Sequence, residues 1–265
     1  MDLESLTRLY DAYVDTFRTD DGQLPTMMQL KRTHTAFVVR NAEAIADGEG
    51  FPPEAREAAL AAALLHDTGR YEQLRRYDTF RDSESVDHAV FSWEIVREKG
   101  WTDEPAVLDA VLWHNRRDLP AQMAPLTALA AHTVRDADKL DIFRVLEDQI
   151  RHTDWRKDSR AFWNLAVSAP PNPAVVACIE RGEAVDYQDI RSLSDFVLIQ
   201  VGWMISGLHF ATARRLCAAR GHLAFRRGFL HQLSSAPAID RVCDLAAARL
   251  PATARSGDSA GGAGA

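Results

Sequence analysis

Apolar residues recur along most of this 265-residue chain at spacings of three, four and seven, and period-two alternation is almost absent. That pattern describes helices with one buried face and leaves little from which to build a sheet, so the expected fold class is all-α. Candidate helices cover about 2–17, 25–47, 54–67, 84–98, 103–115, 123–138 and 140–150, then 173–182, 189–219, 222–233 and 236–249. Asp82 or Ser83 is a candidate cap for the fourth, Thr102 or Asp103 for the fifth with Pro105 in its first turn, and Gly69 follows the third. The polar, arginine-rich stretch 70–83 reads as a loop. Residues 1–150 are expected to form one helical domain, 151–250 a helical extension packed on it, and 251–265, ending in "SGDSAGGAGA", a disordered tail.

The helical stripes carry an unusual cargo. Leu30, His34, Phe37 or Val38, and Ile45 share one face; His88 lies with Phe91 and Ile95; Val107, Ala110, Val111 and His114 share another; Ala130, Val134 and Asp138 step by four, with Asp141 continuing the row. At the end of an alanine-rich run, "LLHDTGRYEQ", residues 64–73, adds His66 and Asp67 together. Any one of these alone reads as a satisfied core histidine or a helix cap. Six of them, turned inward from five consecutive helices, make an acidic, imidazole-rich pocket that is costly to bury unless cations bind there. Imidazole with carboxylate suits zinc, iron, manganese and similar ions.

Composition narrows the remaining classes. A formal net charge of −7 argues against a broad face for nucleic-acid polymers. Three widely spaced cysteines without a CxxC indicate neither a disulfide framework nor a thiolate zinc site, which fits a reducing, cytoplasmic setting. The start, "MDLESLTRLY", is acidic and lacks the apolar region of an export signal. The uncharged run 196–213, "FVLIQVGWMISGLHFATA", is interrupted by Gln200, Ser206 and His209, so we read it as a buried helix with His209 in the core rather than a membrane span. His132 reads as an ordinary residue facing away from the Asp138 stripe. Trp155, Trp163 and Trp203 suggest that the later helices form an aromatic layer, and a homodimer contact is one use for it.

The order His34, His66-Asp67, His88, His114, Asp138 resembles the HD superfamily of metal-dependent phosphohydrolases, whose helical core carries H…HD…H…H…D. The resemblance covers about residues 25–145. "LLHDTGRYEQ" is similar to the family's HDxGK-type stretch with Arg70 in place of lysine, and "RDADKLD" to the element of the (p)ppGpp hydrolases that selects Asp138 over Asp136. The extra histidines, His88 and His114, resemble the two-metal HD-GYP phosphodiesterases and dinucleoside tetraphosphate hydrolases, although the GYP element is absent.

This resemblance implies two divalent transition metal ions, whether Fe, Mn, Zn, Co or Ni. One would be held by His34, His66, Asp67 and Asp138, the other by His88 and His114, with Asp67 bridging. It further implies hydrolysis of a phosphate ester or anhydride of a nucleotide or other small phosphorylated metabolite. The catalytic candidates are Asp67 and, by their places one turn beyond and next to Asp138, Asp141 and Lys139. Lys31, Arg70, Arg81 and Arg117 are the candidate phosphate binders. A related expectation is a di-iron oxygenase, because myo-inositol oxygenase and its relatives use the same six-ligand pattern, and a third is a module in which the metals are structural.

Overall fold

The computed structural model describes residues 2–157 and 165–251. Among these residues it is all-α, with one isolated bridge between Ala166 and Ser192 in place of any sheet. Two compact units divide the chain: the first runs to Asp154 and includes Gly207–Ala213, and the second takes Trp155–Ser206 and the chain from Arg214 onward. Trp163 and the low-complexity end from 252 lie outside the described residues. No helix among them is long and apolar enough to cross a membrane.

The first unit contains α1 (Leu3–Asp15), α2 (Thr26–Gly48), α3 (Pro53–Leu65), α4 (Gly69–Tyr77), α5 (His88–Glu98), α6 (Pro105–Trp113) and α7 (Pro125–His152). α7 is the central rod, packed by α2, α3 and α6. Small side chains at the crossings make this possible: Ala59, Ala62 and Ala63 of α3, Ala110 of α6, and Ala130, Ala131 and Ala137 of α7 are wholly buried beside Val38, Ile45, Leu65, Val134, Leu140 and Phe143. Asn41, itself buried, donates to the Ala137 carbonyl at 3.0 Å and locks α2 to α7. Truncating a residue such as Ile45 in so close a core costs about 2–5 kcal/mol.

Several boundaries differ from the sequence reading, each for a local reason. The stretch taken as a loop is mostly helical: α4 buries Tyr71 and Gln73 while Arg75 and Arg76 point to solvent and pair with Glu72. Its few apolar residues gave no stripe to detect, and it ends at Asp78 in the left-handed region, φ 53°. Gly69 does not terminate α3 but begins α4, where a Cβ would lie 2.7 Å from the Ser92 backbone nitrogen. α5 starts at His88, capped by Asp87, which accepts from the amides of Ala89 and Val90. α6 is capped by Glu104, with Pro105 as its first residue. α7 continues unbroken through 138–140.

The second unit contains α8 (Pro173–Glu180), α9 (Leu193–Gly202), most of α10 (Ala211–Ala219), α11 (His222–Leu233) and α12 (Ala238–Arg249). α9 opens with a reciprocal cap between Ser192 and Asp195 and packs on α8, α11 and α12. The helix expected over 189–219 is broken: a π-turn, Trp203–Gly207, follows α9, and residues 208–210 leave the helix altogether. Those residues dock in the first unit. The carboxylate of Asp136 accepts from the amides of His209 and Phe210 at 2.8–3.0 Å, and Phe210 meets Phe51 edge-on. His209 is therefore exposed rather than in the core, and its ring stacks on His132 at 3.7 Å.

Candidate metal centre

The six ligand candidates are delivered from helix interiors, from one turn and from helix ends. His34 comes from the middle of α2 and Asp138 from the middle of α7. His66 and Asp67 lie in the turn joining α3 to α4, held by the Thr68 hydroxyl on the Leu65 carbonyl and by the Arg70 amide on the Asp67 carbonyl. His88 is the first residue of α5, and His114 sits just past the last residue of α6. The four histidines and Asp67 are all buried.

These side chains converge on one carboxylate. Asp67 Oδ2 lies 3.7 Å from His34 Nε2 and 3.6 Å from His66 Nε2, while Oδ1 lies 3.7 Å from His88 Nε2 and 3.9 Å from His114 Nε2. Asp138 Oδ1 closes the first side, 3.1 Å from His34 Nε2 and 3.9 Å from His66 Nε2. Candidate ligand atoms of His34, His66 and Asp138 fall within 4.8 Å of one another, and so do those of Asp67, His88 and His114.

The far side of every ring is engaged. His34 Nδ1 donates to Asp141 at 2.6 Å, His66 Nδ1 to the Ala63 carbonyl at 2.8 Å, His88 Nδ1 to Asp82 at 2.5 Å and His114 Nδ1 to the Val111 carbonyl at 2.7 Å. In His66, His88 and His114 a proton on Nδ1 leaves the Nε2 lone pair free and aims it inward, which is how metal-binding imidazoles are commonly oriented, while His34 Nε2 also meets Asp138. Two observations show that the residues fit metal ions. His66 Nε2 is buried with no hydrogen-bond partner. His88 and His114 turn their Nε2 atoms toward each other at 3.1 Å, so two lone pairs face one another and a cation between them relieves the repulsion.

The electrostatics follow from burial and from these partners. Burial alone would raise the Asp67 carboxyl, but Lys31, His66, Arg70 and His88 outweigh it and hold it well below the usual range. Asp138 is lowered likewise, its burial outweighed by the hydrogen bond with His34. Burial and Lys31 push His34 down, yet its hydrogen bonds to Asp138 and Asp141 win and raise it. Burial lowers His66, and burial together with His88 and His66 brings His114 to about 3.

Among the candidate cations, Lys31 reaches the centre and donates to Asp67 Oδ2 at 2.6 Å. Arg70 lies beside it, Nε 3.5 Å from Asp67 Oδ1, but its Nη1 is committed to Gln73, the Phe80 carbonyl and Asp82. Arg81 pairs with Glu84, Arg117 is exposed beside Asp118, and Arg116 pairs with Asp87. Lys139 donates to the Arg135 carbonyl, and burial with the nearby Arg135 pushes its ammonium down to about 8. Asp141 turns its carboxylate to His34 Nδ1 and to Arg144, whose Nε lies 2.6 Å away.

The sequence reading missed Asp82, Gln73 and Arg144. Arg144 follows Asp141 by one helical turn, a spacing that could have flagged it. Asp82 and Gln73 carry no comparable signal: Gln73 donates to Asp82, Ser85 and the Val86 carbonyl, ties made by the folded loop alone. Asp82, Asp87 and His88 also form a tight group, but Asp87 already caps α5 and holds Asn115 and Arg116.

Comparison of the chain with curated proteins and with solved structures returned no match. Residues 32–142, which span α2 to α7 and hold all six converging side chains, match the family model described as HD domain. That stretch of the chain carries an HD domain.

Proposed function

We propose that this protein is a binuclear metal-dependent phosphohydrolase that cleaves a phosphate ester or anhydride of a nucleotide or another small phosphorylated metabolite. The observation that carries the reading is the division of Asp67, one oxygen facing His34 and His66 and the other facing His88 and His114. HD domains are typical of metal-dependent phosphohydrolases. His34, His66, Asp67 and Asp138 would hold one ion, and Asp67, His88 and His114 the other, with Fe, Mn, Zn, Co and Ni all compatible with the donor set. When bound, such a pair supplies a water of lowered pKa and positive charge for the phosphoryl oxygens.

The protein's own groups do the rest. Asp67 would be a ligand to both ions, and its depressed pKa keeps both oxygens unprotonated for that task. Asp141 acts through His34, fixing the ring and its tautomer, with Arg144 holding Asp141 in turn. Lys31 is the amine closest to the centre and the first choice for a substrate phosphate; Arg70 contributes positive charge while anchoring the loop at Phe80 and Asp82. Arg81, Arg117 and Lys139 join phosphate binding only by exchanging Glu84, Asp118 and the Arg135 carbonyl for it.

The test is a metal assay followed by phosphate-release measurements on a nucleotide panel with Mn²⁺ or Fe²⁺, under air and under nitrogen. The expected result is release indifferent to oxygen. Substrate-dependent oxygen uptake would instead establish an oxygenase, and tightly held metal without turnover a binding module.

A further inference from the structure

The Lys31 ammonium sits 2.6 Å from Asp67 Oδ2, the oxygen that also faces His34 and His66. Its side chain is 18% exposed and that of Asp67 4%, so the pair is largely withdrawn from water. The neighbouring arginines are engaged elsewhere: Arg32 is paired with Asp11, and Arg70, whose Nε lies 3.5 Å from the other oxygen Oδ1, is held by Gln73, Phe80 and Asp82. Lys31 donates to Asp67, and the Phe80 ring lies beside it, its centroid 5.5 Å from Nζ.

A carboxylate oxygen has two lone pairs, so geometry alone does not prevent an amine and a divalent ion from sharing Oδ2. Charge does, because the two cations would sit a few ångströms apart with little water between them. We propose that Lys31 is the resident counter-cation of the metal-free centre and that a divalent ion expels it from Asp67 Oδ2. The half-buried Phe80 ring, already beside the ammonium, receives it through its negative face. Metal loading and release of the Lys31 amine are then one event, and the amine becomes free for an anion only when the centre is charged. This proposal rests on the binuclear reading of the centre.

Two measurements test it on the full-length protein with Mn²⁺ as the probe. Calorimetric titration compares the wild type with Lys31→Met, in which the first ion should bind about tenfold more tightly because its competitor is gone. Labelling by an amine-reactive ester, read by mass spectrometry, follows Lys31 in the wild type, where Mn²⁺ should speed modification of this one lysine. Should Lys31→Met fail to fold, the labelling result decides alone. An unchanged or weaker affinity in folded Lys31→Met, or labelling that Mn²⁺ slows or leaves unaltered, overturns the proposal while a wild type that takes up Mn²⁺ keeps the binuclear reading. A wild type that takes up none overturns both.

Discussion

The half of the centre that faces Asp67 Oδ2 is lined by two imidazoles and a second carboxylate, with His34 and Asp138 carried on the two longest helices of the first unit. On the half that faces Oδ1 the imidazoles are those of His88 and His114, one at the first residue of a helix and the other just beyond the end of another, with Arg70 Nε 3.5 Å from the same oxygen. The first half is rich in charge and already balanced by Lys31 and by the raised imidazole of His34. The second is a pair of opposed lone pairs whose aim depends on a loop, because His88 is oriented by Asp82 and Asp82 is held by Arg70 and Gln73. In the proposed binuclear centre one carboxylate would serve two sites of unequal build, one set by helix packing and the other by a short strap of chain.

The largest effect tests what the halves share. Asp67→Ala should lose both ions and lower activity by more than about a thousandfold, since loss of a bridging ligand must exceed the roughly 10–100-fold typical of losing an outer partner. Elemental analysis alongside turnover checks this, and retention of either ion would break the shared-carboxylate picture. Next, His114→Ala should remove the second ion and spare the first; native mass spectrometry showing both ions gone would mean that the halves are not separable.

A finer cut sharpens the contrast between helix and strap. Asp82→Asn should weaken the second ion by roughly 10–100-fold and leave the first unchanged, because only His88 loses its orienting partner. Equal weakening at both sites, read by titration, would remove the distinction.

Proton release separates the halves again. A histidine with a raised folded pKa, such as His34, stabilises the metal-free fold below about pH 6.5 and loses that contribution as pH rises through the folded value. The first ion must displace that proton, so its binding should strengthen with rising pH through this window and release protons. His114, brought to about 3, has none to give at neutral pH. Calorimetry in buffers of differing ionisation heat measures the proton count at each step. The smallest effect lies at the turn: Gly69→Ala, with its Cβ 2.7 Å from the Ser92 nitrogen, should cost about 1–3 kcal/mol in thermal unfolding.

How much could be read in advance varied with the kind of residue. The four histidines, Asp67 and Asp138 stood out because each interrupts or ends an apolar stripe, and the stripes survive folding as helix faces. Asp138 was chosen over Asp136 by its place in the stripe of Ala130 and Val134 and by family likeness, and the structure supplies the physical reason: Asp136 turns to the amides of His209 and Phe210. The arginines were the least legible. Arg70, Arg75, Arg76, Arg81 and Arg116 look alike along the chain, yet each ended on an acid that the folded chain brings near it. His209 was misread for a related reason, since an uncharged run does not say where its helix will break.

What the sequence determined by itself is the helical class and the six inward-facing groups, because the 3.6-residue period acts within a few residues and needs no distant partner. What only the tertiary structure decided is which Asp67 oxygen faces which pair of rings, that Asp82 and Asp141 stand behind two of them, and that Lys31 hydrogen-bonds Asp67 Oδ2 while Arg70 stands 3.5 Å from Oδ1. Those outcomes depend on distances between segments up to about a hundred residues apart, such as His34 and Asp141, and packing of α7 against its neighbours sets them.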